Sequence, residues 1–138
     1  MQQTKILLVE DDPGHARLIE KNLRRAGITE EIVFFADGLS VLSYLTEGGK
    51  TGPGRLIILL DLNLPGLDGY QVLGRIKADE RTKKIPVIIH TTTDMPQEIA
   101  RCYELGCNLF ITKPVQYDEF CRAIHNLGQL LSIAQVPV

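Results

Sequence analysis

The feature that most constrains the fold of this chain is a series of five short apolar runs, four of them closed by polar side chains. The runs cover residues 6–9, 32–35, 56–60, 86–89 and 108–112. Strands that are apolar along their whole length are typical of a parallel sheet covered on both faces. Apolar residues with helical spacing, such as Ala16, Ile19 and Leu23, separate the runs. The alternation predicts βα units with right-handed crossovers, and therefore a doubly wound α/β fold with helices on both faces of one parallel sheet.

Five helices are expected between and after the strands. The first begins after Asp12 as N-cap, has Pro13 at its first position and ends at Gly27. The second helix is expected from 38 to the glycines at 48 and 49, and a loop follows at 50–55. The third helix is expected over 69–78, the fourth from a cap and proline signal at 94–97, and the fifth over 117–133.

Polar side chains follow four of the runs, at the point where each strand would end. The acidic group Glu10, Asp11 and Asp12 follows the first run, and Asp61, Thr91 and Lys113 follow the third, fourth and fifth. Ligands of open α/β sheets bind at the carboxyl edge of the strands, so these groups are candidates for one site. Neighbouring carboxylates either bind a cation or raise one another's pKa by like-charge repulsion. Mg²⁺ prefers oxygen ligands, and in proteins it is commonly held by carboxylates together with the phosphate groups of a substrate.

An acidic group, an aspartate, a hydroxyl and a lysine at strand ends, in that order, resemble the receiver domain of two-component response regulators. The resemblance extends from Lys5 to about Leu131. It implies a five-stranded parallel sheet of order 2-1-3-4-5 in a flavodoxin-like, three-layer αβα fold. We also expect residues 1–138 to form a single receiver domain without an output domain, because few residues follow the last helix.

The resemblance implies a Mg²⁺ site at the ends of the first and third strands, which are neighbours in that order. Glu10 and Asp11 align with the acidic pair of the family, and Asp12 turns into the first helix. Asp61 and the backbone carbonyl of Asn63 complete the expected ligands.

The resemblance also implies that Asp61 is the phosphoacceptor, since an aspartate carboxylate can attack phosphorus and form an acyl phosphate. Lys113 would pair with the phosphoryl oxygens, aimed by a cis peptide bond before Pro114. Thr91 would donate its hydroxyl to the same oxygens, and Phe110 would turn inward as the aromatic switch residue. The surface of the fourth helix, fifth strand and fifth helix would then change.

Three functions remain open at this point. The favoured one is a signalling phosphoacceptor, which is not an enzyme and catalyses only phosphotransfer to itself and its own dephosphorylation. A Mg²⁺-dependent phosphatase with Asp61 as nucleophile is the second, but that class needs a second acid where Asn63 stands. A pseudo-receiver that binds partners without phosphorylation is the third, although every acceptor-site residue is present.

Composition limits the partners. A net charge of −2 gives no electrostatic reason to expect nucleic acid or an anionic membrane as partner. No apolar run approaches the roughly 20 residues of a transmembrane helix, and the first residues do not resemble a signal peptide. The cysteines Cys102, Cys107 and Cys121 are predicted to be reduced thiols of a cytoplasmic protein.

Four shorter segments resemble one subgroup of this family. The segments 62–65, 84–87, 90–93 and 103–105 resemble single-domain receivers that are partnered with phytochrome-type histidine kinases. This implies phosphorylation by such a histidine kinase or by a phosphotransfer protein, output to another protein, and a homodimer formed by the C-terminal half.

Other residues near these motifs have simpler interpretations. His90 is expected to be a packed strand histidine, although it lies next to Thr91. One face of the last helix is expected to be mostly core, and it carries Phe120, Ile124, Leu127 and Leu131. A solvated basic face is expected at Arg75, Lys77, Arg81, Lys83 and Lys84.

Overall fold

The computed structural model describes residues 4–47, 55–134 and 136, in which strands and helices alternate. The strands are β1 (Thr4–Val9), β2 (Glu31–Phe35), β3 (Arg55–Leu60), β4 (Val87–Thr91) and β5 (Leu109–Thr112). The helices are α1 (Pro13–Arg25), α2 (Gly38–Thr46), α3 (Gly69–Ala78), α4 (Pro96–Leu105) and α5 (Tyr117–Leu131).

All five strands are parallel and lie in the order β2-β1-β3-β4-β5, which confirms the predicted fold and strand order. Val9 of β1 pairs with Leu60 of β3, so the next residues of both strands emerge side by side. Thr91 of β4 pairs with Thr112 of β5, and Lys113 follows directly. The register therefore brings four strand ends to the same edge of the sheet.

Alternate residues of the central strands supply two separate cores. Leu7, Ile58 and Leu60 face α2, α3 and α4, whereas Leu8 and Leu59 face α1 and α5. Side chains of a strand point to opposite faces in turn, so a strand with helices on both sides must be apolar at every position. This requirement explains the uninterrupted apolar runs of the sequence.

Local signals fix the starts of the helices. Asp12 caps α1, where its Oδ1 accepts hydrogen bonds from the backbone N–H of Gly14 at 2.8 Å and of His15 at 3.2 Å, with Pro13 at the first position as predicted. In α4 the proline signal is confirmed at Pro96, but the residue at the cap is Met95, which makes no side-chain hydrogen bond. The side-chain cap expected within 94–97 is therefore not formed.

Several predicted boundaries differ from the structure. α5 ends at Leu131, and Ile133 lies in the turn that follows. Arg55 begins β3 and does not belong to the preceding loop, because its backbone pairs with Thr4 of β1. The glycines at 48 and 49 and the rest of the expected loop at 50–54 lie outside the described residues. In the part of the chain that is described, no helix combines the length and apolarity that crossing a bilayer requires.

Candidate functional site

The ends of β1, β3 and β5 meet in a buried ion cluster. The Lys113 ammonium donates hydrogen bonds to Glu10 Oε1 at 2.6 Å and to Asp61 Oδ2 at 2.9 Å. Glu10 is 6% exposed, Asp61 5% and Lys113 3%. Charged side chains are almost never buried to this degree unless they are paired, so the hydrogen bonds between these three residues explain how they can be buried together.

Asp11 joins this cluster from the exposed side. Carboxylate oxygens of Glu10, Asp11 and Asp61 all lie within 4.8 Å of one another. Three carboxylates then face one ammonium, and the excess negative charge suits a divalent cation. Oxygen donors are also the ligands that Mg²⁺ takes. The residues present therefore fit the cation that was predicted for this edge of the sheet.

Asp12 does not contribute a side chain to the cluster. Its carboxylate caps α1, and hydrogen bonds from the His15 and Gly14 backbone lower its pKa against the opposing effect of desolvation. Its backbone N–H donates to Glu10 Oε2 at 3.2 Å and so helps to orient that side chain. The predicted helix cap is thus confirmed at Asp12, while the acidic pair of metal ligands stays a prediction.

Burial and pairing compete inside the cluster. Burial raises the pKa of Glu10, and the charge of Asp61 adds to the rise, against the lowering effect of Lys113. Burial alone would lower the pKa of Lys113, but its hydrogen bonds to Glu10 and Asp61 outweigh burial and leave that pKa raised. The lysine is thus held as a cation, whereas burial disfavours the charged form of Glu10.

The Asp61 side chain is held at both oxygens. Oδ1 accepts a hydrogen bond from the Asn63 backbone N–H at 3.1 Å, and Oδ2 accepts the one from Lys113. The Asp61 backbone N–H donates to Val9 O at 3.1 Å and ties the residue to β1. Asn63 itself is exposed, two residues beyond the strand end.

Thr91 and His90 lie at the end of β4, and both are buried. Thr91 is fully buried, and its Oγ1 has no hydrogen-bond partner among the described residues. His90 Nε2 is likewise unpartnered there, and the His90 ring lies 5.7 Å from that of Phe120. Burial, with a further contribution from the charge of Lys113, lowers the pKa of His90 to about 3. The histidine is therefore a neutral, packed strand residue, as predicted.

Phe110, the predicted switch residue, lies in β5 at the edge of the sheet. Its side chain is half-buried against the core on the α4 side. Its backbone N–H donates to the hydroxyl of Tyr103 in α4 at 3.1 Å. The phenol thus satisfies an N–H that an edge strand would otherwise present to solvent.

Two expectations for neighbouring residues are wrong. The peptide bond before Pro114 is trans, as are all peptide bonds among the described residues. Lys113 reaches both carboxylates without a cis bond. Lys77 is not part of a solvated face. Its ammonium donates to Lys83 O, Ile85 O and Asn108 Oδ1 at 2.7–3.0 Å, which ties α3 to the loops before β4 and β5.

Sequence reasoning also missed a role for Gly69, the first residue of α3. A Cβ at this position would lie 2.5 Å from Asp61 O and 2.5 Å from Leu62 Cα. The available signal was the pair Asp68 and Gln71, which form a capping box around the glycine and so fix where α3 begins.

Comparison with known proteins agrees with this architecture. The family model of the response regulator receiver domain matches residues 6–125. A crystal structure of a response regulator receiver domain from Rhodospirillum rubrum is 52% identical and superimposes with a TM-score of 0.91, covering 96% of each chain.

Two cyanobacterial proteins are also similar. Response regulator Rcp1 of a Synechocystis species is 39% identical over 110 residues, which are 78% of this chain and 75% of that protein, and it has a crystal structure in a Mn²⁺-bound form. The phosphorylated cyanobacterial phytochrome response regulator RcpA is 36% identical, with a TM-score of 0.87 over 97% of this chain and 98% of that one.

Proposed function

The chain belongs to the response regulator receiver domain family of two-component systems, and we propose that its Asp61 carboxylate accepts a phosphoryl group in a Mg²⁺-dependent reaction. The observation that carries the proposal is the hydrogen-bonded pair of Asp61 and Lys113, buried beside two further carboxylates at the edge of the sheet. A nucleophile, a fixed cation and a set of oxygen ligands thus lie within one cluster.

The reaction places a carboxylate oxygen of Asp61 on phosphorus. The P–O bond to Asp61 forms as the P–N bond to a phosphohistidine breaks, and the imidazole of the donor keeps the electron pair of that bond. Carboxylates act as nucleophiles of this kind in aspartyl-phosphate ATPases. Bound Mg²⁺ would neutralise charge on the phosphoryl oxygens, and Glu10, Asp11, Asp61 and the Asn63 carbonyl would hold it.

Lys113 would exchange partners during transfer. It now donates hydrogen bonds to Glu10 and Asp61, and a phosphoryl group on Asp61 would offer it oxygens with more negative charge. A lysine is a compact point charge and can make this exchange with a small movement of its end. Its raised pKa keeps it protonated for the purpose.

Thr91 supplies the second contact to the phosphoryl group in this proposal. Its buried hydroxyl lacks a partner among the described residues, so a phosphoryl oxygen would satisfy a donor that is otherwise unpaired. The movement of Thr91 would free space for Phe110 and change the face made by α4, β5 and α5. Since these contacts exist only with phosphate present, phosphorylation can shift the populations of two conformations.

A histidine kinase is the proposed phosphoryl donor, by similarity to the phytochrome response regulator RcpA. A groove of about 350 Å³, lined by His15 of α1 and Val115 before α5, opens beside Lys113, and the donor side chain would approach the cluster from this side. Output would pass to a protein partner or to a second copy of the chain, and the exposed Tyr103 and Leu130 suit such an interface. The three cysteines are free thiols, which supports a cytoplasmic setting.

The test is to incubate the protein with acetyl phosphate and Mg²⁺ and to measure the intact mass. We expect one phosphoryl adduct on the wild type and none on Asp61→Asn. Asp12→Asn is the matched control, because asparagine also caps helices and should leave both α1 and the adduct intact. An unchanged adduct on Asp61→Asn would refute the proposal.

A further inference from the structure

We propose that Gly69 is a positioning residue for Asp61, because its missing side chain lets the first turn of α3 lie directly against the Asp61–Leu62 peptide. This role presupposes the proposed function of Asp61 as phosphoacceptor and metal ligand. It adds a residue that touches neither phosphate nor metal.

The contact leaves no room for a side chain. A Cβ on Gly69 would meet Asp61 O at 2.5 Å, Leu62 Cα at 2.5 Å and the carbonyl carbon of Asp61 at 3.1 Å. All three are backbone atoms, so no flexible side chain can move away. The Gly69 N–H also donates to Leu62 O at 3.0 Å, which joins the start of α3 to the strand end.

The start of α3 cannot yield easily. Asp68 Oδ1 accepts from the Gln71 N–H at 2.9 Å, and Gln71 Oε1 accepts from the Asp68 N–H at 3.0 Å. On the inner face of the helix, Val72 and Leu73 are fully buried in the core. A collision at Gly69 would therefore displace the peptide that carries Asp61.

Such a displacement acts directly on the candidate metal site. Both oxygens of Asp61 are already placed by hydrogen bonds, and two of the proposed metal ligands, the Asp61 carboxylate and the Asn63 carbonyl, lie on the same segment. Mg²⁺ demands near-ideal octahedral geometry, so a shift of about 1 Å in two of its ligands should weaken binding. Gly69 would thus set the direction of the carboxylate through the backbone.

Gly38 provides a matched control. It is also a buried first residue of a helix, and a Cβ there would overlap Val72 Cγ2 and lie 3.0 Å from Leu67 O. The closest approach at Gly38 is equally short, although it is to the Val72 side chain and not to backbone, and no atom of Asp61 is involved. Both Gly69→Ala and Gly38→Ala should lose stability, and only the former should lose metal affinity.

The experiment measures urea unfolding without Mg²⁺ and Mg²⁺ affinity by calorimetry for the wild type and both variants. We expect Gly69→Ala to bind Mg²⁺ at least about tenfold more weakly, the size of loss seen when residues supporting a metal ligand are changed, while Gly38→Ala stays close to the wild type. Equal affinities in the wild type and folded Gly69→Ala would overturn the role of Gly69. Absence of Mg²⁺ binding by the wild type would instead overturn the proposed function.

Two measures keep the test decisive if Gly69→Ala does not fold. The first is a Gly74→Ala background in the same helix, where the added Cβ meets only Leu105 Cδ2 at 3.8 Å and alanine favours the helix. The second uses the unaltered protein, in which Mg²⁺ should slow hydrogen exchange at the Gly69 amide but not at the Gly38 amide. Exchange at Gly69 that ignores bound Mg²⁺ would also overturn the inference.

Discussion

The Lys113 ammonium lies 2.9 Å from Asp61 Oδ2, although 52 positions separate the two residues in the chain. The contact forms because β3 and β5 end at the same edge of a parallel sheet, with β4 between them. One lysine thereby pairs with two buried carboxylates, and the stability of the fold is tied to the chemistry of the site.

Removing the lysine should destabilise the protein. In Lys113→Met the carboxylates of Glu10 and Asp61 lose their shared counter-ion, and the loss of one partner from a buried pair costs about 3 kcal/mol. Urea unfolding at neutral pH without divalent cations measures this loss, and added Mg²⁺ should recover part of it. Lys84→Met, which alters an exposed lysine, is the control. A Lys113→Met variant as stable as the wild type would contradict the expectation.

The acidic group should separate into metal ligands and a helix cap. Asp11→Ala should weaken Mg²⁺ binding by about tenfold or more, because a charged oxygen of the cluster is lost. Asp12→Ala should mainly lower the stability of α1, since its carboxylate bonds to the Gly14 and His15 amides. Calorimetric titration with Mg²⁺ compares the two, and equal losses of affinity would mean that the acidic pair has been misassigned.

The sheet and the residues at its edge could be predicted because both depend on local pattern. A strand covered on both faces needs an apolar residue at every position, and the first polar residue marks its end. This pattern locates Asp61 directly. Thr91 and Lys113 each lie one residue beyond the first polar side chain, His90 and Thr112, and their roles were assigned by resemblance to the family. The strand order required resemblance to a family, since apolar patterns do not specify which strands are neighbours.

Contacts between distant segments could not be read from the sequence. Lysine is usually a surface residue, yet the Lys77 ammonium donates a hydrogen bond to Asn108, 31 positions away in the chain. Gly69 was recognised only as a helix start, because its closeness to Asp61 depends on how α3 packs against β3. The Lys77 contacts and the closeness of Gly69 to Asp61 both arise from tertiary packing, which leaves no periodic pattern in the sequence.

Thr91→Val should separate stability from switching. The Thr91 hydroxyl is buried without a partner among the described residues, so its removal should raise stability without phosphate by about 1 kcal/mol. Phosphorylation of Asp61 should persist, but the response of α4 and β5 to beryllofluoride, an acyl-phosphate mimic, should be lost. Unfolding in urea and amide NMR shifts measure the two effects. Thr92→Val, at the exposed neighbour, should respond as the wild type does; a normal response in Thr91→Val would place the switch elsewhere.

Tyr103→Phe should expose an amide at the edge of the sheet. The variant keeps the ring and removes only the hydroxyl that accepts from Phe110 N–H at 3.1 Å. Hydrogen exchange at the Phe110 amide should then accelerate, because edge strands have no further strand to protect them. Tyr70→Phe is the control, since its ring instead lies against Arg101, 4.0 Å from the guanidinium carbon. Unchanged exchange at Phe110 would show that the bond does not persist in solution.

His90 should make the protein sensitive to acid. Its pKa is about 3 in the folded state against 6.5 as a free side chain, because burial and the charge of Lys113 disfavour the imidazolium. As pH falls below 6.5, His90 is protonated in the unfolded chain but stays neutral in the folded one. Stability is therefore lost as pH falls from 6.5 towards 3. The shift corresponds to at most about 4–5 kcal/mol. His90→Leu removes the titrating group. As pH falls from 6.5 towards 3, the wild type should therefore lose unfolding free energy relative to the variant. A difference that is constant between pH 7 and pH 4 would mean that the imidazole is protonated within the fold.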